Sequence, residues 1–108
     1  MFIFVFLIDT MKIIAVNIRH NIHTVSTIIG ATRRAWLLNQ AKANSCDYVI
    51  GVSNGTVRGY FKLHSVHTDI REPNRVAFKL TNCDSKERRI INASIRIVNL
   101  SRFVTKYI

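Results

Sequence analysis

The chain has 108 residues, 48% of them hydrophobic and 20% charged, with one proline and two cysteines. That length holds one core and not two, and the composition excludes both a disordered basic tail and a disulfide scaffold. Sixteen Lys and Arg against six Asp and Glu leave a net charge of +10, which favours a polyanionic partner, either nucleic acid or an acidic protein surface.

Met1 to Ile8 is apolar and ends at Asp9. It is too short to span a bilayer, and without a basic flank or a small-residue cleavage site it does not read as a signal peptide. Residues 1–10 are therefore an extra strand or an extension upstream of a start at Met11, the second reading being favoured. Residues 11–108 are expected to form a single domain, with no membrane segment and a cytoplasmic location.

Lys12 to Ile18 is a first strand, followed by a polar connection from Arg19 to Thr24 and a short apolar stretch that Gly30 breaks. Ala31 to Ala43 is rich in Ala, Leu, Arg and Gln and predicts a helix. Ala31, Ala35 and Leu38 share one face of it, while Arg33, Trp36, Gln40 and Ala43 fall on the other. Trp36 then has two readings. It is buried by a loop or a neighbouring strand, as tryptophan usually is, or it forms a pocket wall with Arg33 and stacks on a base.

Asn54-Gly55 separates two β-rich runs, Asp47 to Ser53 and Thr56 to Val66, and this dipeptide suits the type I′ turn of a hairpin. By alternation, Val57, Phe61 and Leu63 point one way and Arg58, Tyr60, Lys62 and His64 the other. A third strand repeats the pattern, with Val76, Phe78 and Leu80 opposed to Arg75, Ala77 and Lys79. Such a sheet, apolar inside and cationic outside, suits a polyanion; equally, its Lys and Arg keep an exposed sheet from aggregating.

Val66 to Asn74 is a polar loop containing Glu72-Pro73, and proline disfavours helix at Glu72. Asn82 to Lys86 enters a turn or helix, with Asp84 or Ser85 as N-cap. Ile90 to Leu100 fits helix or strand, and Phe103 to Ile108 reads as a closing strand. The expected fold class is α+β: a small curved sheet or barrel of five or six strands with one or two helices.

The run Ala31-Thr32-Arg33-Arg34-Ala35-Trp36, then Cys46 to Val52, then Asn54 to Phe61 resembles small PUA-like domains of bacteria and phages, related to the ASCH and EVE groups. The tail Arg89 to Ile95 with Phe103 to Ile108 is similar to the last helix and closing strand of that pattern. The likeness covers about residues 11–108 and implies a PUA-like pseudo-barrel that binds RNA, or modified bases in duplexes. A proline before the closing strand, usual in that pattern, is replaced by Arg102-Phe103. The G-x-K-x-x-E-x-R signature of the ASCH group is absent, which weakens the transfer of catalytic or ligand roles.

Enzyme chemistry finds little footing. His20-x-x-His23 and His64-x-x-His67 have poor zinc spacing, and neither Cys46 nor Cys83 belongs to a C-x-x-C unit. The few carboxylates form no pair suited to acid–base work, and no Gly-rich phosphate loop is present. The expectation is a non-enzymatic protein without cofactor or metal. It would bind nucleic acid, RNA ahead of DNA, in a basic groove formed by Arg33, Arg34, Trp36, Arg58, Tyr60, Lys62, Arg88, Arg89 and Arg96. Arg and Lys would hold phosphates while Trp36 or Tyr60 stacks on a base. The alternative is a small basic effector of phage type that inhibits a host protein through an acidic or nucleic-acid-binding surface.

Overall fold

In the computed structural model of the chain, residues 12–19, 27–34, 36–95 and 105–108 are described. The reading of residues 1–10 as a strand or extension lies outside them, as do His20, His23, Arg96 and Arg102-Phe103. The architecture is α+β. Strands β1 (Ile13–Asn17), β2 (Tyr48–Ser53), β3 (Thr56–Thr68), β4 (Val76–Asn82) and β5 (Thr105–Tyr107) form one sheet in the order β4-β3-β2-β1-β5. β1 runs parallel to β2, and the other neighbours are antiparallel. Among the described residues three helices accompany it: α1 (Ile28–Thr32), α2 (Gln40–Asn44) and α3 (Ser85–Ile95). Among the described residues no helix is long and apolar enough to cross a membrane.

The hairpin between β2 and β3 turns at Asn54 (φ 53°) and Gly55 (φ 75°), both in the left-handed region that a type I′ turn requires. Beyond the turn, simple alternation fails. Val52 pairs with Val57 while Gly51 pairs with Gly59, so Arg58 is an extra residue, a β-bulge. A second irregularity leaves His64 unmatched between the pairs Leu63–Leu80 and Ser65–Lys79. Each bulge resets which face a side chain occupies. Val57 and Tyr60 consequently join one apolar cluster, Leu63 and Val66 the other.

Both faces of the sheet are covered, and the expected open cationic face is therefore corrected. On the first face Ile14, Val16, Val49, Val66 and Phe78 pack with Ala31, Trp36 and Ala43. On the second, Ile13, Ala15, Ile50 and Val52 meet Ile91 and Ile95 of α3. A parallel pair such as β1–β2 is buried on both sides as a rule. Burying each of the two α3 isoleucines contributes about 1.5–3 kcal/mol.

A single helix over Ala31 to Ala43 is not formed. α1 stops at Thr32 because the next backbone groups bond to the sheet. Phe78 N–H donates to the Arg33 carbonyl at 2.7 Å, and Trp36 exchanges two hydrogen bonds with Val76 at 3.0 and 2.8 Å. Helix propensity is a weak preference, and the edge of β4 outweighs it here. α2 restarts at its own N-cap, Asn39, whose side chain accepts from Lys42 N–H at 3.0 Å. α2 also supplies partners to the part of β3 that outruns β2: Val66 N–H donates to Asn44 Oδ1, and Gln40 Nε2 donates to the Val66 carbonyl.

The ambiguous segment after residue 90 is helical as far as Ile95. Its start is a capping box. Asp84 Oδ1 accepts from Glu87 N–H at 2.7 Å, and Glu87 Oε1 accepts from Asp84 N–H at 3.1 Å.

Candidate nucleic-acid interface

Thr27 and Ile29 stand between two clefts and border both. The first cleft, about 360 Å³, is lined by Arg58, Gly59, Tyr60, Phe61, Asn82, Cys83 and Arg88 besides residues 27–29. The second, about 990 Å³, runs past Arg33, Arg34 and the β4 residues Ala77 to Leu80 to the loop at Asp69, Ile70 and Arg71. Ser65 and His67 complete its wall. Thr27 holds its position as the N-cap of α1, its Oγ1 accepting from Gly30 N–H at 3.0 Å.

The nine residues expected to form one groove do not stay together. Arg58, Tyr60 and Arg88 line the first cleft and Arg33 and Arg34 the second, so the two clefts gather five of them. Lys62 and Arg89 line neither cleft. Trp36 is 5% exposed, in the first-face core. Its Nε1–H donates to the Thr32 carbonyl at 2.6 Å, so its ring offers no face to a base. Arg96 lies outside the described residues.

Several of these groups already have partners. Arg34 makes a two-pronged pair with Asp69, Nε to Oδ2 at 3.0 Å and Nη2 to Oδ1 at 2.7 Å. The Asp69 side chain is 1% exposed, and its Oδ1 also accepts from the N–H groups of Arg71 and Glu72. These hydrogen bonds, led by that from Arg34, hold its carboxyl well below the usual carboxylate range. Arg34 is thus occupied in fixing the loop at residues 69–75. Lys62 Nζ lies 3.2 Å from Glu87 Oε2, which also accepts from Tyr48 Oη at 3.1 Å. Burial first, then the Glu87 hydrogen bond, push the Tyr48 hydroxyl up to about 12. Tyr60 is half-buried, and its hydroxyl donates to Asn92 Oδ1 at 2.6 Å.

Arg33, Arg58, Arg71, Lys79 and Arg88 are exposed around the two clefts. Among the described residues Arg34 pairs with Asp69 and Lys62 with Glu87, and none of these five is held by a carboxylate. The one acid bordering the clefts, Asp69, is neutralised by Arg34. Sequence reasoning passes over Arg71 and Lys79. The first falls within a polar loop that carries no periodicity. The second counts as one position on a strand face, whereas it sits on an edge strand beside a cleft.

Among the described residues no group of three His, Cys, Asp or Glu side chains is placed to hold a metal ion. Cys46 and Cys83 are free, buried and on opposite faces of the sheet. Burial raises both thiols, Cys83 to about 11, which disfavours a thiolate.

No family model, curated protein or solved structure matches this chain.

Proposed function

We propose that the chain is a PUA-like domain that binds nucleic acid without enzymatic turnover, RNA ahead of DNA, along the two clefts that meet at Thr27 and Ile29. The observation that carries this reading is the charge around them. Arg58 and Arg88 stand on one side, Arg33, Arg71 and Lys79 on the other, and the single bordering acid is already neutralised. A polyanion running past these groups would release counterions at each phosphate it brings to them, which supplies most sequence-independent affinity. With Trp36 in the core, stacking falls to Tyr60, a half-buried residue of the first cleft's lining. Phosphate binding dominates and base stacking is secondary. The resemblance to PUA-like domains is what places RNA first.

The test is a pull-down from lysate with and without nuclease, paired with fluorescence anisotropy on a short single-stranded RNA and its DNA counterpart. Partners that disappear with nuclease, together with direct RNA binding weakened by salt, support the reading. A single stoichiometric, nuclease-resistant protein with no RNA binding supports the effector alternative and overturns the nucleic-acid reading.

A further inference from the structure

We propose that the open end of the β4 edge accepts an extended acidic segment of a protein partner as an added strand. β4 is an outer strand of the sheet, and its residues alternate between bonding to β3 and pointing away from it. Val76 and Phe78 point away, as their hydrogen bonds to Trp36 and Arg33 show. Two residues further on, Leu80 has the same outward phase. Its partner Leu63 directs its own N–H to the Asp47 carbonyl, on the far side of β3 from β4. Asn82, opposite Phe61, repeats that phase once more.

Arg33 and Trp36 therefore cover the first half of the edge, and among the described residues its second half is left open. On this phase the backbone N–H groups of Leu80 and Asn82 point away from β3, and among the described residues no bond from outside the sheet ladder meets them, while both groups of Val76 are used by Trp36. Leu80 is half-buried and Asn82 exposed. Both border the clefts described above, so space exists beside them. An unpaired edge of this kind is a template for strand addition.

Charge selects the occupant. Lys79 lies on the open edge, with Arg33 and Arg88 bordering the clefts alongside. A second copy of this chain would bring the same cations face to face, a repulsion that edge lysines commonly supply against self-association. A strand with alternating carboxylates meets the opposite condition. Its backbone completes the ladder, and its acids face the same basic groups. The inference does not rest on the nucleic-acid reading, and because both ligands would use the same cations they are expected to compete.

The probe is a labelled peptide of alternating Glu and Val. Its controls are the same peptide with Lys for Glu and one N-methylated at alternate residues, which cannot complete a ladder. Anisotropy reads affinity, and amide hydrogen exchange reads the site. Expected are at least tenfold slower exchange at Leu80 and Asn82 with the acidic peptide and at least tenfold weaker binding of both controls. Leu80→Pro removes an outward donor without touching a bond to β3 and is expected to abolish peptide binding. Equal binding of the N-methylated peptide overturns the proposal, because attraction would then be charge alone. So does unchanged exchange at Leu80 and Asn82. Concentration-dependent protection of those amides in the protein alone assigns the edge to a second copy and also overturns it. Should Leu80→Pro unfold, the N-methylated peptide on the native protein decides.

Discussion

Gly51 and Gly59 face each other across β2 and β3, and α1 lies directly on the pair. A Cβ built at Gly51 would stand 2.5 Å from Thr32 Oγ1, and one at Gly59 2.6 Å from the Phe61 ring and 2.8 Å from Ile28. Thr32 is fully buried and its hydroxyl donates to the Ile28 carbonyl at 2.8 Å, so it has little room to retreat. The missing side chains are what let five residues of α1 sit close enough to the sheet to separate the two clefts.

Gly51→Ala is accordingly expected to destabilise the fold by about 1–3 kcal/mol, the range for overpacking a filled core. Combining it with Thr32→Ala is expected to cost less than the two changes summed, since the second removes the atom that the first strikes. Urea denaturation of the native chain, both single variants and the double variant measures the coupling. Strict additivity would show that α1 does not rest on this glycine.

Trp36 anchors the segment that covers the first half of the β4 edge. Trp36→Ala is expected to cost about 3–5 kcal/mol of stability. Trp36→Phe is expected to cost less, about 1–3 kcal/mol for the Thr32 carbonyl that loses its donor. RNA affinity of the Phe variant is expected to match that of the native chain. A Phe variant of native stability with weakened RNA binding would instead return Trp36 to the ligand.

Acid stability tests the Arg34–Asp69 pair. The folded Asp69 carboxyl titrates below its unfolded value of about 3.9, as Glu87 does relative to its own, mainly through the Asp84 backbone N–H. The unfolded chain therefore takes up these protons first. The stabilisation is complete above the unfolded values and drains away as pH falls from about 4 toward the folded ones. Asp69→Asn is expected to lower the melting temperature at neutral pH and to flatten its fall in acid. A variant melting curve parallel to the native one across that window would sink the assignment.

Salt dependence separates the free cations from the paired ones. Replacing Arg33 and Arg58 together with Ser is expected to reduce the log–log salt slope of RNA binding by roughly one to two units, at about 0.7–0.9 for each phosphate no longer neutralised. Lys62→Ser, whose ammonium is held by Glu87, is expected to change the slope less than either arginine does. An unchanged slope in the double variant would place the nucleic acid elsewhere.

Local signals in the sequence are legible where the physics is local. Asn54-Gly55 marks its hairpin because both residues tolerate positive φ, and Asp84 marks the start of α3 because its side chain caps the helix. The run from Ala31 to Ala43 misleads because its composition favours helix, while the competing bonds come from Val76 and Phe78, about forty residues further along the chain. The faces of β3 mislead for another reason. Arg58 and His64 are bulged, and nothing in a period of two announces an extra residue. The burial of Trp36 and the sequestering of Arg34 and Lys62 follow from those tertiary choices. Arg33 lines one cleft and Arg58 and Arg88 the other, where alternation alone suggests a single groove.

The order of the strands also sets the order in which the fold can assemble. β2, β3 and β4 are consecutive and joined by short connections, so their ladders close small loops. β1 pairs in parallel with β2 across an intervening stretch that includes α1 and α2, and with β5 from the opposite end of the domain. Ile13 and Ile108 exchange two backbone hydrogen bonds, at 3.2 and 2.7 Å. Closing that loop carries the largest chain-entropy cost in the molecule. The meander is thus expected to form first, with the long-range docking of β1 and β5 as the slower step.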